Sequence, residues 1–504
     1  MDKTLTERTL SGLNWSFLKT YGNAIINIIV GIVLARLIPP QEFGLLGMTL
    51  IFTGLADLFV SLGMGPSIIQ LKELKEEHLR VGLTFTLSSS VLMYLLFFFT
   101  APYIARFFNE ERLVLIIRVI SLLFIEKGIT TVSSSLLVRK MDFKTIMIID
   151  SIAFIIGNGT TSVILAIMGF GVWSLVFGRL VGGFITSVLY LIKSRISFKP
   201  LIRKKEFKDL LVFGGGVSLS QILLYGSSNV DYLIIGKYLS PFQLGLYTKA
   251  FNLMSTPINQ IGGSIYNVLF PAFSSVQSEN EKLRIGYFRT VRTVSYFLFP
   301  VLAAMAVSAK YIIIGLYGSN WEGAVNVFRI LCIGGILRTT LSYSGSILVA
   351  TGRIFAEVMQ QLFYLLILGG CALIGVRYGI EFVGIAVVIA LTWMFYVKNN
   401  LAMKIIEGGW KNYISSVLPG IINLIIIVFL NLIIIFLTEN IIPSIRSEIK
   451  LLITISINVI GFLFMVFLIP EKIKGDSFSW LLEKYNRFIP KKITNLYYYY
   501  NPTK

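Results

Sequence analysis

Apolar runs of about 20 residues recur along the whole chain, and that is the length a helix needs to cross the hydrocarbon core of a bilayer. Fourteen are recognisable, over residues 12–35, 43–70, 81–104, 113–137, 145–167, 171–192, 210–236, 243–275, 286–308, 323–349, 354–376, 382–403, 413–437 and 450–469. Water is absent at that depth, so every backbone N–H and C=O must be satisfied internally, as a helix does. Composition agrees: of 504 residues 55% are hydrophobic and 14% charged, with a mean hydropathy of +0.78, whereas a soluble domain is about 25% charged. The fold class that follows is an all-α polytopic membrane protein.

The net charge of +19 would suit a nucleic-acid partner, but its distribution does not call for one. With the N-terminus placed in the cytoplasm, the inner loops, tails and adjoining helix ends hold 30 Lys and Arg, and their outer counterparts hold 8. This is the positive-inside asymmetry. It implies fourteen spans with both termini cytoplasmic, and no nucleic acid. Soluble-type chemistry is not legible: there is no P-loop, zinc motif or nucleophile–His pair, and no metal or cofactor is expected. Cys332 and Cys371 lie in apolar runs as small hydrophobes, and the single histidine, His78, lies in a charged loop. Gly214-Gly215-Gly216 opens span seven and is read as a site of close packing or bending. No cleavable signal peptide is expected, because the first apolar run is too long for a signal core.

One turn occurs twice. Arg36-Leu37-Ile38-Pro39-Pro40-Gln41-Glu42-Phe43-Gly44-Leu45 returns 201 residues later as Lys237-Tyr238-Leu239-Ser240-Pro241-Phe242-Gln243-Leu244-Gly245-Leu246. In each copy a base is followed four residues later by Pro, and Gly-Leu closes the turn. Pro is expected to stop one helix and Gly to let the next begin without a Cβ clash. The turns are assigned to the outer rim, with Arg36 and Lys237 as rim charges. Further on, Ser133-Ser134-Ser135 is echoed by Ser344-Gly345-Ser346 at an offset of 211, which also places Arg118 on Arg329 and Lys127 on Arg338. Six spans precede the second copy, so the halves are expected to be parallel repeats. The expected organisation is a cytoplasmic tail 1–11, an N-lobe 12–195 (spans one to six), a basic cytoplasmic linker 196–209, a C-lobe 210–404 (spans seven to twelve), two extra helices within 405–469, and a basic, aromatic tail 470–504 expected to lie on the anionic inner leaflet. Span eight carries Pro257 and Pro271 and is expected to bend; span thirteen is apolar apart from Asn423 and Asn431.

Four spans carry polar stripes. Span one has Trp15, Lys19, Asn23 and Asn27, and span two has Thr49, Thr53, Asp57 and Ser61, each set at i+4. Span seven has Ser218, Gln221, Tyr225, Ser228, Asn229 and Tyr232; span eight has Lys249, Asn252, Thr256, Asn259 and Gln260. Spacing of three or four puts each set on one helical face. Such faces serve either as hydrogen-bonding glue between helices or as the wall of a shared wet cavity, and their recurrence in both halves favours a cavity. Ionisable residues at depth are costly, about 2.5–3.5 kcal/mol each on insertion scales, and tend to be functional. Lys19, Lys127, Lys249 and Arg338, with Arg179 behind them, are the candidate cavity cations for an anionic passenger such as a phosphate or acidic sugar. Asp57 and Asp231 are candidates either as counter-ions for Lys19 and Lys249 or as sites for a coupling H⁺ or Na⁺. Asn23, Asn27, Thr53, Gln221, Tyr225, Asn229, Asn252 and Asn259 are the candidate polar lining. Arg118, Arg329, Asp150 and Glu357 lie near helix ends and are read as snorkelling outward.

The fourteen spans, the six-plus-six-plus-two arrangement and the Arg36–Gly44 turn resemble polysaccharide flippases of the multidrug/oligosaccharidyl-lipid/polysaccharide exporter superfamily, in the Wzx-type and colanic-acid-exporter-like branch. Asn14-Trp15, Leu62-Gly63-Met64-Gly65 and Arg139-Lys140-Met141-Asp142-Phe143 are similar to the same pattern. The resemblance implies two lobes in a V-shaped, MATE-like arrangement with a cationic cavity. It implies alternating access without covalent chemistry in a bacterial inner membrane. The implied passenger is a polyprenyl-diphosphate-linked oligosaccharide, the repeat unit of a surface polysaccharide, moved from the cytoplasmic to the outer leaflet beside other polysaccharide-assembly proteins. Lipid II flippases of that superfamily carry a denser run of arginines in the first two spans than the Lys19 and terminal Arg36 found here. The competing readings are a cation-coupled multidrug exporter on the same scaffold, which would want a more acidic or aromatic cavity, and a membrane-embedded polysaccharide polymerase or glycosyltransferase, which would want a large outer loop or a catalytic acid motif.

Overall fold

A computed structural model describes residues 22–197, 199–262, 273, 279–440 and 446–468, the side chains of 212–220 and 467–468 excepted. All regular structure among the described residues is helical. Ten helices there are long and apolar enough to cross a membrane, and an eleventh, shorter apolar helix, α1, covers Gly22–Leu37. The chain divides into two compact units, Met1–Thr248 and Lys249–Lys504.

In the first unit α2 (Pro40–Ser61) and α3 (Met64–Gln70) are followed by α4 (Glu76–Phe108), α5 (Leu113–Ile120) and α6 (Leu123–Arg139). Next come α7 (Phe143–Phe154), a wide π-turn (Ile155–Thr161), α8 (Ser162–Ile167), α9 (Val172–Ser194) and α10 (Lys204–Tyr238). The unit boundary falls inside α11 (Pro241–Pro257). Two predicted spans are interrupted. Span two breaks between α2 and α3, where Leu62 (φ 36°) and Gly63 (φ 70°) take successive left-handed conformations, a geometry natural to glycine and unusual for leucine. Span four breaks at Ser121–Leu122, where turn-type bonds from Phe124 N–H to Ser121 O and from Ile125 N–H to Leu122 O replace the α ladder.

The repeated turn has a different physical basis from the one its sequence suggests. Pro40 and Pro241 open α2 and α11 as first-turn residues, where a missing N–H costs nothing. Gly44 and Gly245 are not at the turn; both lie inside their helices and are buried. A Cβ on Gly44 would collide with the carbonyl of Pro241, and a Cβ on Gly245 with the carbonyl of Pro40. The two glycines therefore let α2 and the start of α11 approach until backbone meets backbone, each copy of the motif receiving the other. Below this crossing Gly54 makes room for Tyr225 of α10, whose hydroxyl donates toward the Leu50 and Ile51 carbonyls at 2.9 Å each. Elsewhere in the unit Gly157 packs against Gly178 and Gly182, the small-residue contact favoured where lipid supplies no hydrophobic drive.

The second unit begins within α11, which widens into a π-turn (Ile258–Gly262) directly after Pro257. It then contains α12 (Asn280–Val307), α13 (Ala309–Tyr317), a 3₁₀ turn (Ser319–Ala324), α14 (Val325–Ala350), α15 (Ile354–Gly375), α16 (Ile380–Ile405), α17 (Trp410–Asn440) and α18 (Ser447–Leu468). Its core joins Tyr287, Val291, Val294 and Leu298 of α12 to Ile347 and Leu348 of α14, Ala402 and Met403 of α16, and Tyr413 and Val417 of α17. Asn423 and Asn431, the polar exceptions of span thirteen, face this interior. Asn431 accepts from Ser308 at 2.7 Å and exchanges bonds with Asn458 of α18 at 2.7 and 3.0 Å. Asn423 donates to the Tyr296 carbonyl at 3.4 Å.

The crossing of α2 and α11 yields a prediction. Gly44→Ala or Gly245→Ala forces a carbon against rigid backbone and should destabilise the purified protein by about 2 kcal/mol or more. Gly47→Ala, whose new carbon would meet Leu244 at an ordinary 3.5 Å, should leave the melting temperature unchanged or raised, since alanine is the better helix former. Thermal unfolding followed by size-exclusion chromatography distinguishes the two outcomes.

Candidate functional site

The polar stripe of span two divides when its side chains are followed. Thr49 and Thr53 are buried and donate to carbonyls of their own helix, those of Leu45 at 3.0 Å and Thr49 at 3.1 Å. They close the helix rather than offer a wall. One turn on, Asp57 is half-buried and lies within electrostatic reach of Lys127 on α6 and of the Tyr225 hydroxyl on α10. Glu126 joins the same field, coupled to Lys127, Asp57 and Asp150, and its carboxylate accepts from Thr130 at 3.3 Å. Asp150 of α7 accepts from Tyr190 of α9 at 2.9 Å. Its neighbour Ser151 donates to Asn23 of α1 at 3.0 Å. Three helices of the first unit, α2, α6 and α7, thus carry one connected field of charge, joined by tyrosine hydroxyls from α9 and α10, and α1 reaches its edge through Asn23.

Three predicted residues, Asp57, Lys127 and Tyr225, come together there, and Asn23 reaches the edge. Lys19, the expected partner of Asp57, lies outside the described residues. The cluster sets the carboxylates of Asp57 and Glu126 beside the ammonium of Lys127, with Asp150 within reach of Glu126. Such a group can hold a proton or a cation as well as an anion. Asn27, Arg179 and Gln221 are exposed. Asn229 donates to the Tyr225 carbonyl of its own helix at 2.8 Å. Asp231 is buried and accepts from Tyr247 at 2.6 Å.

In the second unit the two predicted cations stand over aromatic faces. The Lys249 ammonium lies 5.5 Å from the ring centre of Tyr317 and 5.8 Å from that of Trp321. The Arg338 guanidinium lies 5.5 Å from that of Phe251. Such contacts stabilise a cation by about 0.5–2 kcal/mol. Asn252 and Asn259 are exposed on α11 and in the π-turn that follows it.

Other contacts depart from the sequence reading. Arg118 does not extend to the interface: its Nε donates to the Phe98 carbonyl at 3.1 Å and its guanidinium covers the Phe98 ring at 4.6 Å. Glu357, read as snorkelling, pairs with Lys398 of α16 at 2.5 Å, and Lys398 is 5% exposed. Lys398 lies five residues inside its apolar run, and that depth is the sequence signal that marks it as interior. Beside the pair Ser344 donates to Asn399 at 2.8 Å, and Tyr287 donates to Asn399 at 2.7 Å. On the turn, Glu42 accepts from the Val172 N–H at 2.9 Å, satisfying the start of α9, and pairs with Arg112 at 3.1 Å. Burial alone would lower the basicity of Arg112, but its bonds to Glu110 and Glu42 raise its pKa above the ordinary value.

A profile of the family described as "Polysaccharide biosynthesis protein" matches residues 33–326. The chain belongs to this family. Similar to it is the lipopolysaccharide biosynthesis protein WzxC of Escherichia coli (strain K12), 26% identical over 432 residues that cover 84% of this chain and 86% of the relative. Among solved structures, the lipid II flippase MurJ in an inward-closed conformation superposes with a TM-score of 0.72 at 15% identity, covering 90% of this chain and 98% of that one. An inward-facing multidrug-resistance MATE transporter gives a TM-score of 0.61 at 18% identity over 76% of this chain and 94% of that one. These likenesses establish a MATE-like helical fold in a multi-pass membrane protein.

The buried pair of this polysaccharide-biosynthesis family member provides a test. Lys398→Met should cost about 3 kcal/mol, the low end for breaking a buried ion pair because the Glu357 side chain is 25% exposed. Lys398→Met combined with Glu357→Leu should recover most of that loss in thermal unfolding, since no unpaired charge remains.

Proposed function

We propose that this protein is a flippase that carries polyprenyl-diphosphate-linked oligosaccharide, the repeat unit of a surface polysaccharide, from the cytoplasmic to the outer leaflet of a bacterial inner membrane. The observation that carries the reading is the near full-length match to a lipopolysaccharide biosynthesis protein, joined to the fold of a lipid II flippase. In this reading fourteen spans place both termini in the cytoplasm, and the 30-to-8 bias of Lys and Arg supports that orientation. Two parallel six-helix repeats are supported by a like-for-like contact: Ser133 of α6 bonds Ser194 of α9 at 3.2 Å, and its counterpart Ser344 of α14 bonds Asn399 of α16 at 2.8 Å.

Transport needs no covalent chemistry. It needs two arrangements of the helices and a passenger that binds them unequally. Lys127, Arg338, Lys249 and Lys19 are assigned to the diphosphate, with Arg179 secondary. Asp57, with Glu126 beside it, is assigned to coupling: a proton or Na⁺ on the carboxylates competes with Lys127 for their charge, freeing Lys127 for the anion. Asp231 keeps the alternative role of counter-ion. A multidrug exporter on the same scaffold remains the second reading, and the carboxylates of Asp57 and Glu126 are the groups it would use.

Depletion should make the lipid-linked oligosaccharide accumulate on the cytoplasmic face; drug sensitivity without accumulation supports the exporter instead. Lys127→Ala with Arg338→Ala should lower export at least tenfold while the protein stays in the membrane at normal level. Asp57→Asn should remove the response of export to an imposed pH or Na⁺ gradient, measured in proteoliposomes, while retaining downhill movement of the passenger.

A further inference from the structure

The basic segment between α9 and α10, read from sequence as a linker, is tied to other helices of the first unit. Ile196 (8% exposed) and Leu210 (fully buried) anchor its ends in a core with Met64, Ile68, Leu83 and Val132. Between them Arg80 donates to the Lys199 carbonyl at 3.0 Å, and the Leu201 N–H donates to the Thr84 hydroxyl at 3.0 Å. Ser67 donates to the Leu210 carbonyl at 2.6 Å. Out of this clamped segment project Ile202, 89% exposed, and the side chains of Lys193, Arg195, Lys199, Arg203, Lys204, Lys205 and Lys208, all exposed.

The bond to Thr84 sets the depth. Thr84 is the fourth residue of the apolar run that begins at Val81, about one helical turn inside the hydrocarbon boundary. With the boundary taken at Val81, Leu201 lies at that level and its neighbour Ile202 close to the boundary of headgroups and acyl chains. At that depth a fully exposed isoleucine gains by burying its apolar surface among acyl chains. The cations around it have stems long enough to reach the phosphate layer. Arg203 also faces Glu206 at 3.8 Å, which leaves most of the positive charge uncompensated.

We propose that the described residues 193–197 and 199–208 form a binding site for anionic phospholipid, in which Lys199, Arg203, Lys204 and Lys205 hold the headgroup phosphate and Ile202 inserts beside the acyl chains. The site goes beyond the transport reading and does not depend on which molecule is carried. Its occupant is a lipid rather than an acidic protein, because the depth fixed by Thr84 exposes Ile202 to the acyl region.

The test places an environment-sensitive nitrobenzoxadiazole label on Ile202→Cys in a Cys332→Ser, Cys371→Ser background. The labelled full chain is reconstituted in nanodiscs of phosphatidylcholine mixed equally with phosphatidylglycerol, with brominated acyl chains on one lipid at a time. Quenching should be several-fold stronger from brominated phosphatidylglycerol than from brominated phosphatidylcholine. Changing Lys199, Arg203, Lys204 and Lys205 to Gln should abolish that preference while quenching persists. Equal quenching by the two lipids before any charge is removed overturns the headgroup site. No quenching by either lipid overturns the insertion and indicates a solvated or protein-covered segment. The two-lipid comparison needs only the labelled protein, so it stands even if the fourfold variant fails to fold.

Discussion

Two glycines, 201 residues apart in sequence, share one contact. At Gly44 and Gly245 the added carbon of any other residue would lie inside the partner helix's backbone, so the approach of α2 and α11 is set by main chain rather than by side-chain volume. Much else in the first unit takes its position from that approach. Glu42, two residues ahead of Gly44, is brought to the start of α9 and to Arg112. Tyr225 reaches the α2 carbonyls of Leu50 and Ile51 only because Gly54 continues the same bare face. Dispersion and shape carry such a contact, since in lipid there is little hydrophobic gain in bringing two apolar helices together.

Polar residues in these helices do two kinds of work, and sequence spacing does not separate them. Thr49, Thr53 and Asn229 satisfy carbonyls of their own helix. Asn431, Ser308 and Asn458 form a closed exchange between helices. Asp57 and Lys127 belong to neither class: on different helices, they are coupled to each other by charge. A stripe at i+4 records only that one face is polar. Whether the face closes on itself or stays available depends on what the neighbouring helix presents.

The helical membrane class was legible because it follows from length and hydropathy alone. The repeated turn was legible as a motif, but its glycines were assigned to the turn when their role is a crossing between helices far apart in sequence. The breaks at Leu62–Gly63 and Ser121–Leu122 were hidden, since hydropathy runs unbroken through both; left-handed dihedrals register the first and turn-type hydrogen bonds the second. Lys398 and Glu357 escaped for another reason. Each sits near the end of an apolar run, where a charge is ordinarily free to reach water, and only their mutual proximity shows that they turn inward instead.

Arg139 gives the break at Leu62–Gly63 its meaning. From the end of α6 its guanidinium reaches the carbonyls of Ile68, Ile69 and Leu71 at 2.8, 3.2 and 2.6 Å, and that of Lys72 at 3.3 Å. One cation therefore holds the C-terminal end of α3, where helix carbonyls lack partners of their own. α3 is bound to α6 more firmly than to α2, its neighbour in sequence. The second apolar run is therefore two helices and not one, both packed on α6 and α10, with the change of direction confined to the left-handed backbone of Leu62 and Gly63.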